Sequence, residues 1–242
     1  MIYLLRYTLI VLYTVFWGIL ASVLGLLDRS GEFVIWVARH WIGWILASCG
    51  VVVTCEGLED LDLSRSYVLM SNHQSVFDIA AIVSTWPRSF RFVAKRELTW
   101  IPFFGWALLV GHHVIIDRSR RERAVASLER AAEQVRTGTN VIIFPEGTRS
   151  PSGQIGEFKS GGFHLAIQAG VPVLPIAISG TRRITPKRSL RIESGRVRIH
   201  YGKPIPTQGM SAEDRNRLKE QVRAAIAAQL EQPWEGEPAH AA

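Results

Sequence analysis

The stretch SYVLMSNHQSVFDIAAIVSTW, Ser66–Trp86, changes character halfway along. Its first part, SYVLMSN, is a short aliphatic run, the pattern of a strand buried on both faces. Its last part, IAAIVSTW, is an apolar run that a helix would bury. Between them lies SNHQSVFD, which sets His73 and Asp78 in a polar loop. Strand, loop and helix in that order are the unit of an α/β fold, and functional groups in such sheets stand on the loops that leave strand ends.

The loop itself has two compatible readings. Ser75 to Asp78 fits a capping box, with Ser75 as N-cap and Asp78 at the third helical position. On one continuous helix, residues five apart point about 140° away from each other, so His73 and Asp78 would not meet. A helix that begins at Ser75 leaves His73 in the loop and Asp78 in the first turn. The carboxylate then reaches one imidazole nitrogen, fixes the tautomer and raises the basicity of the other, as a general base requires. The pair alone is weak evidence, and the rest of the chain has to decide.

Beyond Glu56, short aliphatic runs alternate with amphipathic helices. RFVAK reads as a strand. Ser119 to Arg136 reads as a helix with Val125, Leu128, Ala132 and Val135 on one face and Gly138 as its stop. NVIIFPEG is a strand running into a loop, FHLAIQAG a short helix and VPVLPIAI an apolar strand interrupted by prolines. SLRIESGRVRIHYG predicts a hairpin, and Ser211 to Gln232 an amphipathic helix opened by the capping pattern SAED. The expectation is a mixed sheet flanked by helices over residues 57–232, followed by a disordered tail at 233–242.

Residues 1–56 read as hydrophobic membrane-anchoring helices. Tyr7 to Leu27 holds 21 residues without a charge, long enough to span a hydrocarbon core. No small-x-small cleavage site closes it. After the polar turn DRSGE, Phe33 to Val53 carries Arg39, His40, Trp36, Trp41 and Trp44, residues suited to a membrane interface. These features predict a two-helix membrane hairpin with a deep first arm and a shallower second one. Residues 1–60 hold three basic and five acidic side chains, so the remainder carries +9 of the chain's net +7. An apolar end joined to a basic body points to an anionic membrane surface or anionic substrates. No nucleic-acid-binding signature accompanies the charge. Cys49 and Cys55 have neither C-x-x-C nor metal-ligand spacing and read as reduced, structural thiols of a cytoplasm-facing protein.

Two further segments carry candidate chemistry. In FPEGTRS, Phe144 to Ser150, Gly147 lets backbone amides approach a ligand, Thr148 offers a hydroxyl and Arg149 a planar fork suited to phosphate. In KRELTWIPFFGWALLVGHHVIIDR, Lys95 and Arg118 border an aromatic, apolar segment. Cations edging an apolar surface suit a ligand with an anionic head and an apolar tail. A structural alternative pairs Arg149 with Glu146, and Arg118 with Asp117. A metal site built from His73, His112, His113 and Asp117 lacks any recognised zinc spacing.

NHQSVFD, the block ending in VIIDR, FPEGTRS and VPVLPIAI, in this order, resemble the four blocks of the glycerolipid acyltransferases. The bacterial members acting on 1-acyl-sn-glycerol-3-phosphate are the nearest. The blocks run from Ser71 to Ile178. The family usually has glycine six residues before the second-block arginine, and here that place is His112. The resemblance implies His73 as base and Asp78 as its orienting partner. It implies Arg118, Glu146, Gly147, Thr148 and Arg149, with Lys95, as the site for the acceptor phosphate. As an anion, Glu146 would hold Arg149 or backbone amides in place. The implied reaction moves an acyl chain from acyl-CoA or acyl carrier protein to lysophosphatidic acid at the membrane bilayer, on the cytoplasmic face of a bacterial inner membrane. No cofactor or metal is expected, because the thioester is already activated. There is no G-x-S-x-G elbow and no cysteine beside His73, so direct attack without an acyl-enzyme is expected. The competing expectations are another lyso-lipid acceptor, such as a lyso-aminolipid, and a non-catalytic lipid-binding membrane protein.

Overall fold

The computed structural model describes residues 1–117 and 121–234. Its strands are β1 (Val51–Glu56), β2 (Val68–Ser71), β3 (Phe90–Lys95), β4 (Val114–Ile116), β5 (Asn140–Ile143), β6 (Val173–Ser179) and β7 (Gly195–Tyr201). Its α-helices are α1 (Ile2–Leu24), α2 (Glu32–Cys49), α3 (Phe77–Thr85), α4 (Phe104–Val110), α5 (Arg121–Arg136), α6 (Gly161–Ala169), α7 (Thr181–Ile184) and α8 (Arg215–Leu230). The strands make one mixed sheet in the order β1-β7-β6-β2-β5-β3-β4. Neighbours run parallel except β6 and β7.

The aliphatic run before His73 becomes β2, in the middle of this order, with all its residues buried. Period-two alternation divides it between two cores. Leu69 packs with Ile142, Leu174, Phe77 and Ile82 on one face, and Val68 and Met70 join Val141, Ala132, Phe163 and Leu218 on the other. Helices α2 and α3 cover the first face, and α5, α6 and α8 the second. Pro175 sits inside β6, a central strand, without cost to the ladder. Its carbonyl accepts from Gly202 on the side where pairing with β7 begins only at Ile176. The amide that proline lacks would face that opening.

The amino-terminal region departs from expectation in α2. The helices α1 and α2 do pack against each other, through Tyr13, Trp17, Trp36, His40 and Trp44. However, Ile35, Ile42, Ile45, Leu46 and Cys49 of α2 belong to the same buried cluster as Leu69 and Trp86 of the body. Arg39 donates to the carbonyls of Trp86 and Arg88 at 3.1 and 2.9 Å, satisfying backbone beyond the end of α3 rather than seeking lipid headgroups. Among the described residues one helical stretch, Ile2–Leu27, is long and apolar enough to cross a membrane. The apolar run read as continuing to Val53 stops at Gly50, whose left-handed conformation (φ 65°) caps α2. Val51–Glu56 then forms the edge strand β1, paired with β7.

The expected hairpin over SLRIESGRVRIHYG is also absent. Only its second half is a strand, because β7 already has β1 on one side and β6 on the other. Residues 190–194 therefore have no ladder to join, although Ile192 is buried. Cys49 is buried, Cys55 is exposed, and both are free thiols. Arg118 and residues 235–242 of the tail lie outside the described residues.

Candidate active site

The loop between β2 and α3 leaves the carboxyl edge of the sheet, and the FPEGTRS loop leaves the neighbouring β5 at the same edge. His73 Nδ1 lies 2.8 Å from Asp78 Oδ2. Helix α3 begins at Phe77, so His73 is in the loop and Asp78 in the first turn, as the fold-back requires. The pair forms, but the helix starts later than the capping box placed it: Val76, not Ser75, is the N-cap and makes no side-chain cap bond. Asp78 Oδ2 also accepts from the Ser75 amide at 2.8 Å, and Ser75 Oγ accepts from the Phe77 amide at 3.3 Å.

Asp78 is fully buried, and its carboxylate has partners on every side. Oδ2 further accepts from the Gln74 amide at 2.6 Å, and Oδ1 accepts from Thr181 Oγ1. A buried charge tolerates its site when such donors replace water. With Asp78 accepting at Nδ1, that nitrogen carries the imidazole proton and Nε2 holds a free lone pair. The ring stacks on Phe144, with centroids 4.1 Å apart and planes 20° apart, so its orientation is fixed.

Glu146, also buried, joins the two loops. Oε1 accepts from the His73 amide at 2.8 Å, and Oε2 from the Gly156 amide at 2.9 Å. Burial pushes its carboxyl above the ordinary range, while the amides of Gly156 and His73 pull against that. A side chain at Gly156 would collide with Oε2, at 2.9 Å from its first carbon. The Ser150 amide donates to the His73 carbonyl at 2.7 Å, and Gln74 Nε2 to the Gly153 carbonyl at 2.8 Å. Of the two partners expected for Glu146, the structure supplies backbone amides and not Arg149.

A cavity of about 420 Å³ opens at His73. His73, Lys95, Gly147, Thr148, Arg149 and Lys187 line one part of it. Trp17, Gly18 and Ala21 of α1, Val34, Val37 and Trp41 of α2, and Phe104 and Leu108 of α4 line the apolar remainder. Sequence reasoning placed His73, Lys95, Gly147, Thr148 and Arg149 together, and the fold brings them to this one cavity. Gly147 takes φ 69°, a left-handed turn that suits glycine and directs the loop toward His73. Among the described residues no carboxylate pairs with Lys95, Arg149 or Lys187. His113, at the apolar end, accepts from the Phe92 amide at 2.9 Å. Burial, with Arg91 and His112 nearby, drives its pKa down to about 3, so it is a neutral wall residue.

Two participants had no sequence signal, and a third, Asn72, lies in the block NHQSVFD but carried no expected role. Thr181 and Lys187 come from beyond β6 and arrive because β6 lies beside β2. Asn72 holds that neighbour in register, donating to the Ile178 carbonyl at 2.9 Å and accepting from its amide at 2.8 Å. His112, at the place where the resemblance puts glycine, has φ 54°, a left-handed backbone position.

The chain is similar to known proteins in sequence and in fold. The family model described as Acyltransferase matches residues 52–179. The chain is 36% identical over 178 residues to 1-acyl-sn-glycerol-3-phosphate acyltransferase alpha of Ovis aries, covering 73% of this chain and 62% of that protein. It is 31% identical over 229 residues to 1-acyl-sn-glycerol-3-phosphate acyltransferase of Saccharomyces cerevisiae, covering 92% and 75%. The crystal structure of the 1-acyl-sn-glycerophosphate (LPA) acyltransferase of Thermotoga maritima superposes with a TM-score of 0.78 at 30% identity, covering 97% of this chain and 96% of that one. The chain thus spans less than two thirds of the mammalian relative and nearly all of the Thermotoga one.

Proposed function

The chain belongs to the acyltransferase family, and from that premise we propose that it acylates the free sn-2 hydroxyl of 1-acyl-sn-glycerol-3-phosphate to give phosphatidic acid, a step of phospholipid biosynthesis. The observation that carries the reading is one cavity that joins an oriented His73–Asp78 pair, cations without carboxylate partners among the described residues, and a long apolar wall. The relatives named above carry that acceptor in their names.

The chemistry follows from the groups present. Nε2 of His73 takes the proton of the acceptor hydroxyl as its oxygen attacks the thioester carbonyl of acyl-CoA or acyl carrier protein. The resulting imidazolium is stabilised by the buried Asp78 carboxylate. Backbone amides or a cation of the loop stabilise the tetrahedral oxyanion. Its collapse breaks the carbon–sulfur bond, and the imidazolium returns the proton to the departing thiolate. No cofactor enters this balance. An acyl-enzyme is disfavoured because Ser75 Oγ already donates to the Thr185 carbonyl at 2.9 Å and Cys49 is buried in the core. Lys95 and Arg149, with Gly147 and Thr148 of the same loop, hold the acceptor phosphate, and Arg118 is proposed to join them. Glu146 positions the loop.

Helix α1 exposes Leu4, Leu5, Val11, Leu12, Phe16 and Val23, which supports attachment to a bilayer, and we place the enzyme on the cytoplasmic face of the inner membrane of a bacterium. Hydrophobic insertion is not screened by ions, so high salt should leave the protein on membranes and detergent should release it. The decisive assay offers the purified full chain lysophosphatidic acid with each donor and reads product by mass. Phosphatidic acid is expected with at least one donor; none with either would sink the reading.

A further inference from the structure

Residues 181–187 contact each part of the site just described. Thr181 Oγ1 donates to Asp78, the Thr185 carbonyl accepts from Ser75 Oγ, and Lys187 reaches the FPEGTRS loop. Lys187 Nζ lies 2.7 Å from the Arg149 carbonyl and 3.4 Å from Thr148 Oγ1. An ammonium has three donors, and both of these partners are neutral, so its charge is not compensated by them. Lys187 lines the same cavity as His73, Lys95 and Arg149, and none of the three cations has a carboxylate partner among the described residues. Gathering like charges in a partly dry mouth is unfavourable unless an anion joins them.

We infer that Lys187 is a further phosphate-binding residue, which positions the Thr148–Arg149 turn and contributes its own charge to the acceptor's headgroup. The inference rests on the acyltransferase reading above. It differs from a mere strap in what it predicts. A strap would hold the loop equally for every substrate. A phosphate ligand acts on acceptors that carry the phosphate and leaves others alone.

The test uses the full-length enzyme in detergent micelles with K187M, which keeps an unbranched stem, and K187R, which keeps the charge. Steady-state kinetics are compared for lysophosphatidic acid and for monoacylglycerol, the same acceptor without its phosphate. Losing one charge-assisted contact should raise KM for lysophosphatidic acid by roughly ten- to a hundredfold in K187M, with kcat and donor KM little changed. K187R should recover most of that loss, and monoacylglycerol should be affected little. A loss falling equally on both acceptors, or on kcat alone, would overturn the inference and leave Lys187 as a strap. Equilibrium binding of lysophosphatidic acid and monoacylglycerol is measured in parallel, so the inference is judged without turnover as well. If the wild type binds lysophosphatidic acid but acylates neither acceptor, the acyltransferase reading fails separately. Unchanged binding in a K187M variant with a wild-type melting temperature would overturn the inference for Lys187 itself.

Discussion

The two ends of the polar half of the cavity are built on opposite principles. Around Asp78 each carboxylate oxygen has a donor, and the His73 ring is held by a hydrogen bond on one edge and Phe144 on one face. At the other end Lys95, Arg149 and Lys187 gather without a carboxylate among the described residues. Satisfied groups fix geometry, which a base needs before substrate arrives. Uncompensated ones keep interaction energy available for a ligand. The comparison therefore assigns chemistry to the first end and recognition to the second, and each prediction below can break it.

The largest effect is expected at the satisfied end. His73→Ala should lower kcat about a hundredfold to ten-thousandfold with little change in acceptor KM, the usual cost of losing a general base. Asp78→Asn should fall in the same range, since it withdraws charge from the imidazolium and presents an amide to donors. Stopped assays on folded variants, checked by circular dichroism, measure both. Substantial activity in folded His73→Ala would remove the base from this end.

Next in size is the recognition end. Arg149→Ala should cost roughly 30- to 1000-fold in kcat/KM for lysophosphatidic acid, as a lost charge-assisted contact of about 2–4 kcal/mol implies. Arg149→Lys should remain poor, because an ammonium does not reproduce the planar bidentate fork. For a phosphate-free acceptor the deficit should shrink. Equal deficits on both acceptors would mean that Arg149 shapes the loop instead, although its expected structural partner, Glu146, is already taken by two amides.

The satisfied end was legible in sequence because its geometry is local. Five positions of chain, a strand before and a helix after are enough to bring His73 onto Asp78. The same locality gave β2, β3, β5 and β6 and their following loops. Lys187 was not legible, since 38 residues separate it from Arg149 and only the placing of β6 beside β2 joins them. The misread hairpin fails for a related reason. Alternation in SLRIES is real, but a strand needs a free edge, and β7 has none. In α2 Arg39 fitted an interface by composition, whereas two carbonyl acceptors of the body decided its place, while Trp36 and Trp44 stay exposed beside α1. Periodicity reports that a face is apolar without saying what covers it.

A smaller effect is expected where the two ends meet, at Glu146. Glu146→Gln replaces one acceptor oxygen with an NH₂ that faces an amide donor. One buried N–H then loses its partner, which costs about 1–3 kcal/mol of stability. The displaced His73 backbone should reduce kcat roughly tenfold, since catalysis is sensitive to small misplacement. There is also a pH signature. Burial raises the folded-state pKa above the ordinary 4.5, so the folded protein holds this proton to higher pH than the unfolded chain does. The stability that proton contributes is complete below 4.5 and declines as pH climbs through the raised value. Urea titrations of wild type and Glu146→Gln across that window should show the decline in wild type only. A parallel pH profile in both would mean that Glu146 is charged throughout.

The smallest effect is expected at His112, outside both ends yet one turn before the strand β4. Its φ of 54° places an L-residue in the left-handed region, where crowding of the β-carbon costs about 1–2 kcal/mol. Histidine tolerates that region better than most side chains, which puts the cost toward the lower figure. Glycine removes the crowding but frees the unfolded chain by about 0.5–1 kcal/mol. The two changes oppose each other, and the difference favours His112→Gly by at most about 1 kcal/mol, or roughly 2–4 °C in Tm for a chain of this size. His112 is exposed and does not line the cavity, so kcat and both KM values should stay at wild-type levels. Calorimetry on the variant, with kinetics in which donor and acceptor are varied in turn, reads both halves of the expectation. A fall in Tm would show that the histidine side chain makes a contact worth more than its backbone strain. A changed acceptor KM would instead draw this turn into the recognition end, and the boundary between the site's two halves would have to move.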